Sequence, residues 1–170
     1  LVNVLKRAKE LTENNVELFA SSALKYFLYQ PITKENFTEK TLEMFSKLDD
    51  YDVLLAIKEW TNHDDKILSF LSKMIVDRKL LRIEIQKEEF KEIFITKKLE
   101  EVSKKLGISL NQAHYFSFST QISNQAYNSK EPIYILNKKG TLEDIAKASD
   151  QLNIQALTNP VVKHFICYPK

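Results

Sequence analysis

An α+β fold, with an N-terminal helical lobe followed by a mainly antiparallel sheet with short helices, is what the sequence predicts. Two observations carry that expectation. Through about residue 78 the apolar residues recur every three or four positions, the spacing that lines one helical face. The period then falls to two, with Leu81, Ile83 and Ile85 alternating with Arg82, Glu84 and Gln86, the signature of a half-buried strand. At 170 residues the chain is long enough to bury a core, and the expected division is 1–78 helical and 79–170 α+β.

The helical sets follow one another closely. Leu1, Val4, Leu5, Ala8 and Leu11 form the first, so the sequence opens already inside a helical pattern, which points to a piece of a longer protein. Ala20, Ala23, Leu24, Phe27 and Leu28 form the second, which Pro31 ends. Leu42, Phe45 and Leu48 form a third, and Val53, Ala56, Ile57 and Trp60 a fourth that begins at the acidic cluster Asp49, Asp50 and Asp52. Thr61 and Asn62 are expected to cap the next helix, with Asp65 in its first turn and an apolar face of Ile67, Leu68, Leu71, Met74 and Ile75. Beyond the strand at 81–86, Thr96 is expected to cap a helix carrying Leu99, Val102 and Leu106, which Gly107 closes in the left-handed conformation. Ser109 with Gln112 has the form of a capping box for a short helical turn.

Strands are expected at Tyr115 to Ile122, Ile133 to Asn137 and Val161 to Tyr168, and Lys138-Lys139-Gly140-Thr141 has the character of a hairpin turn. Leu142 to Ala148 reads as helix or strand from its residues alone, and Asp150 to Leu157 as a short helix. Asn124 to Glu131 has the composition of a loop.

Composition removes several function classes. With 25 Lys plus Arg against 23 Asp plus Glu the chain lacks the strongly cationic surface of a general nucleic-acid binder. Two glycines, Gly107 and Gly140, cannot build a phosphate-cradling glycine loop. No apolar run is long enough to span a bilayer. The single cysteine, Cys167, excludes an internal disulfide and fits a reducing cytoplasm; its alternation with Phe165 marks it as a strand thiol.

The stretch from Leu48 to Ile85 combines an acidic opening, two helical patterns and a basic exit strand. With Asp49, Asp50, Asp52, Ile57, Asp64, Ile67, Leu71, Arg78, Leu80 and Arg82, it resembles the segment beyond the catalytic core of HD-superfamily phosphohydrolases of the deoxynucleoside triphosphate triphosphohydrolase type. Residues 148–170 and the hairpin YNSKEPIYILNKKGT are similar to the closing sheet of a bacterial HD phosphohydrolase subfamily. The resemblance implies that 142–148 form a strand and that the chain is the C-terminal part of a longer enzyme. It also implies that a divalent metal belongs to an HD core lying outside this chain, and that the chain forms a homo-oligomer. Basic residues at the positions of Arg78 and Arg82 are implied to reach a regulatory deoxynucleotide between subunits.

The residues themselves leave two readings for that pair. Guanidinium groups bind phosphate oxygens in bidentate fashion and stay charged at physiological pH. The competing reading pairs them with Asp77 and Glu84 on the surface. His63-Asp64 is the one His-Asp dipeptide, but no histidine precedes it, so a metal site lacks its ligand count and a helix-start role is simpler. His114 and His164 lack a carboxylate at useful spacing. No catalytic and no metal-ligating residue is assigned. A stand-alone protein-interaction module, using the helical face or the aromatic strand residues Phe116, Phe118 and Tyr134, is the alternative reading.

Overall fold

Helix α1 (Val2–Glu13) sets the scaffold by turning Val4, Ala8 and Leu11 to one side, where all three are buried. The computed structural model describes residues 1–124, 133–145 and 161–170. Four more helices complete the first half: α2 (Ser22–Tyr29), α3 (Glu39–Ser46), α4 (Asp50–Trp60) and α5 (Lys66–Val76). Ser21, Thr38 and Asp49 cap the N-termini of α2, α3 and α4. At Asp49 the box is reciprocal: Asp49 accepts from the amide of Asp52, and the Asp52 carboxylate accepts from the amide of Asp49. The acidic cluster is therefore a helix start, as its composition indicated.

The core gathers Leu24 and Leu28 of α2, Ile57 and Trp60 of α4, and Ile67, Leu68 and Leu71 of α5 around α1. Trp60 is its largest fully buried side chain, and its Nε1 donates to the carbonyl of Phe19 at 3.0 Å. The same core continues into helix α6 (Glu92–Leu106) through Leu99 and Val102, and past helix α7 (Leu110–Ala113) to Phe116.

Among the described residues three strands form the main sheet. β5 (Val161–Tyr168) lies between β1 (Arg82–Gln86) and β2 (Phe118–Asn124), antiparallel to both. The register places Ile83 opposite Cys167, and Cys167 opposite Phe118. One face carries Ile166 and Tyr168, which pack with Phe90, Phe94 and Ile95 against the α6 side. The other face carries Cys167, buried, whose thiol is pushed up by desolvation. A separate pair, β3 (Tyr134–Leu136) and β4 (Leu142–Asp144), closes through a turn at Gly140, whose φ of 79° needs glycine. The α+β class and its order, helices first and antiparallel sheet after, are as the periodicity indicated.

Several local expectations are corrected. Asp65, not Thr61 or Asn62, caps α5: its carboxylate accepts from the amide of Leu68, while Thr61 ends α4. Helix α6 starts at Glu92, a turn before Thr96, which lies inside it; Lys91 precedes it without a side-chain cap. The strand expected from Tyr115 begins at Phe118, because Phe116 is drawn wholly into the helical core by the turn after α7. In α3 the apolar residues Leu42 and Phe45 are exposed, and Thr41 is buried instead, bonded to the Tyr26 hydroxyl. Ile83 and Ile85, expected on the buried side of their strand, are 56% and 60% exposed, since β1 is an outer strand whose apolar face nothing in the described residues covers. The loop at 125–131 and the helix expected at Asp150 to Leu157 lie outside the described residues, as does the end of the segment 142–148.

Candidate functional site

The end of α5 carries the most unusual backbone feature among the described residues. After the C-cap Asp77, Arg78 has φ of 57°. Its amide donates to the carbonyl of Ile75 at 3.1 Å, and the amide of Lys79 donates to that of Met74 at 2.9 Å. This paired closure satisfies the last helical carbonyls and requires a left-handed residue, for which glycine is the low-energy choice. Elsewhere among the described residues the left-handed positions are Asn15, Gly107 and Gly140, residue types that tolerate them. Arginine at this position carries a cost of roughly 1 kcal/mol relative to glycine. Replacing Arg78 by glycine is therefore expected to raise the stability of the fold by about 0.5–1 kcal/mol, seen as an upward shift of the urea midpoint.

What the arginine gains is placement. Its side chain lines a cleft of about 480 Å³ with Lys73, Lys79 and the C-terminal Lys170, over a floor that includes Phe70, Met74 and Phe116. Asp77, the carboxylate next to it, pairs with Lys79 at 3.8 Å, and no ion pair to Arg78 is formed among the described residues. Of the two surface pairings, the one between Arg82 and Glu84 is formed at 3.5 Å, and Arg78 has none among the described residues.

Arg82 sits differently. It lies on the α6-facing side of β1, 3.5 Å from the Glu84 carboxylate and 6.0 Å from the centre of the Tyr168 ring. The Tyr168 hydroxyl donates to Glu84, and that hydrogen bond pushes the phenol's pKa up. Lys98 of α6 lies 4.6 Å from the centre of the same ring and pairs with Glu101 at 2.9 Å, the contact that raises its own pKa. Arg82, Lys98, Lys105, Tyr168 and Lys170 line a second cleft of about 460 Å³. The two clefts share Pro169 and Lys170, so the two predicted arginines occupy neighbouring depressions on either side of the last residues of the chain.

Lys73, Lys98, Lys105 and Lys170 escaped the sequence reading. For Lys98 and Lys105 a signal existed: seven residues apart, they stand two turns apart on one face of α6. Nothing local in the sequence brings Lys170 to either of them, because β5 is positioned by pairing with distant strands.

The His-Asp dipeptide is engaged elsewhere. His63 Nδ1 accepts from the Asp65 amide at 3.0 Å, and Asp64 is exposed. Asp65 itself is held by Arg7, whose Nε and Nη2 donate to its two oxygens at 3.1 and 2.6 Å. Burial pushes the Asp65 carboxyl up, but the Arg7 hydrogen bonds, the Leu68 amide and the nearby positive charges outweigh it and leave the pKa below the ordinary value. These residues do not fit a divalent ion, and no group of three or more His, Cys, Asp or Glu side chains converges among the described residues. No helix among them is long and apolar enough to cross a membrane.

In sequence and fold this chain is similar to a phosphohydrolase. The solved structure is that of a phosphohydrolase from Bacteroides thetaiotaomicron VPI-5482, determined at 2.20 Å; the TM-score is 0.83 at 41% identity, over 99% of this chain and 43% of that one. The chain spans less than half the length of that protein. No protein-family model and no curated protein matches it.

Proposed function

We propose that this chain is a non-catalytic C-terminal lobe of an HD-type, metal-dependent phosphohydrolase acting on deoxynucleoside triphosphates. Its own work is to assemble with further copies and to sense a deoxynucleotide through Arg78 and Arg82. Likeness to the Bacteroides phosphohydrolase supports the phosphohydrolase relationship. The observation that carries the binding role is Arg78: a cation placed at a backbone position that favours glycine, lining a cleft with three lysines and free of any carboxylate partner among the described residues. A helix end gains nothing from an arginine there, whereas a guanidinium can bind a phosphate in bidentate fashion. The apolar floor beside the cations suits a base or sugar alongside the phosphates.

In the parent enzyme the metal would polarise a phosphate oxygen and activate water. The residues described here offer it no ligand set, so the ion is assigned to the portion this chain does not span.

Thermal denaturation with and without deoxynucleoside triphosphates tests the binding role. Ligand at a hundred times its dissociation constant should add roughly 2.7 kcal/mol of stability. Arg78→Ala should remove most of that gain, and Arg78→Gly should remove it from a protein that is itself more stable. No gain in the wild type, or the same gain in both variants, overturns the reading.

A further inference from the structure

β1 is an outer strand: β5 pairs with one of its edges, and no described strand meets the other. An open row of backbone donors and acceptors is a template for another strand, and proteins usually blunt it with proline, bulges or charges. β1 contains neither proline nor glycine, pairs with β5 in continuous register, and displays Ile83 and Ile85 largely exposed; its two charges, Arg82 and Glu84, are of opposite sign and so do not repel an antiparallel copy. An apolar strand face on an open edge calls for a cover.

The sequence around it indicates which cover fits. Leu81-Arg82-Ile83-Glu84-Ile85 reads apolar, positive, apolar, negative, apolar, a pattern complementary to itself when reversed. An antiparallel copy centred on Ile83 sets Ile83 opposite Ile83, Leu81 opposite Ile85 and Arg82 opposite Glu84, so every cross-strand pair is matched. Moving the centre by one residue sets Arg82 against Arg82 or Glu84 against Glu84, and half-residue shifts set isoleucine against charge. Only one register satisfies all positions.

We propose that two copies of this chain associate through β1, antiparallel and in register about Ile83, to form one sheet continuous across both. The arrangement is isologous, as a two-fold dimer requires. A groove of about 460 Å³ lined by Leu1, Val2, Leu80, Leu81, Ile83 and Phe118 continues the same apolar face and is narrowed by the partner's side chains. The inference deepens the assembly part of the function proposed above; it shares Arg82 with the nucleotide-binding part but requires no bound nucleotide.

Light scattering on the ligand-free chain measures assembly, and cysteine crosslinking locates it. The native Cys167 lies directly opposite Ile83 across β1 and β5 and would capture a cysteine there within one chain, so both cysteine variants are made in a Cys167→Ser background. Directly opposed residues of an antiparallel pair have Cα atoms about 4.5–5.5 Å apart, inside the disulfide range of about 4.4–6.8 Å. Ile83→Cys should therefore oxidise to a covalent dimer. Ile85→Cys should do so roughly tenfold more slowly or not at all, because four residues of rise, about 13 Å, separate the two copies of position 85. Ile83→Lys should convert dimer to monomer with an unchanged circular dichroism spectrum, since the side chain is exposed. A monomeric wild type overturns both assembly and interface. A dimer that survives Ile83→Lys, or equal crosslinking at 83 and 85, leaves assembly standing and removes β1 from it.

Discussion

Trp60→Ala is expected to cost about 3–5 kcal/mol of folding stability, the range for removing a large aromatic side chain from a packed core. The indole is 1% exposed and sits where α4 meets α1, α2 and α5. Truncation removes its apolar surface, leaves a cavity the surrounding helices close only in part, and strips the Phe19 carbonyl of its donor. For a domain with a typical stability of about 5–15 kcal/mol, that is roughly a fifth of the total or more. Trp60→Phe keeps most of the volume and loses chiefly the hydrogen bond, so it should cost less than half as much. Urea unfolding followed by circular dichroism is the measurement, because the substitution removes the chain's single tryptophan. A loss below about 1 kcal/mol for alanine would show that the core is not organised around this residue.

Loss of Asp65 should be the next most damaging change and should carry a pH signature. One carboxylate caps α5 through the Leu68 amide and clasps Arg7 of α1 in bidentate fashion, with the Arg7 and Asp65 side chains 20% and 17% exposed. The cap contributes about 1 kcal/mol and the partly screened pair about as much again, so Asp65→Ala is expected to cost about 2–3 kcal/mol at neutral pH. Arg7 also reaches Glu10 at 3.3 Å, and Glu10 accepts from the Tyr115 hydroxyl, tying α1 to the turn after α7. Because the folded carboxyl titrates below its ordinary value, the unfolded chain binds the proton more readily. The stabilisation is fully present above the unfolded value near 3.9 and is lost as pH falls through the lower folded value. The stability difference between wild type and Asp65→Ala should accordingly be widest at neutral pH and shrink below about pH 4. A difference constant from pH 7 to pH 3 would mean that the pair contributes nothing through its charge.

Legibility in the sequence followed the range of the interaction. Helix positions were readable because their signal is local: the set Val53, Ala56, Ile57 and Trp60 foretold α4, and Asp49 with Asp52 foretold its start. The Leu81 to Gln86 alternation foretold β1, and the turn at Gly140 foretold the β3–β4 hairpin. Burial was harder to read. Ile83 and Ile85 have the spacing of an inward face but lie at the border of the sheet, and their exposure depends on strand order, which alternation does not encode. Phe116 has strand spacing and strand propensity, yet the helical core claims it, a case of tertiary packing overriding local preference. At the candidate site Arg78 and Arg82 were visible through the resemblance, while the cluster of Lys98, Lys105 and Lys170 around Tyr168 required the register of β5.

That register has a consequence for synthesis. The middle member of the sheet is the last of its three described strands to leave the ribosome, so β2 must wait for it and β1 must wait while nearly half a chain length more is made. At translation rates of roughly 5–20 residues per second, Ile83 and Ile85 spend seconds beside unpaired backbone before β5 exists. The helices and Phe116, all encoded before β5, can close their core during that interval. Nascent chains of this protein should therefore gain helical structure early, while the waiting edge of β1 is exposed to pairing with the wrong neighbour until β5 is made.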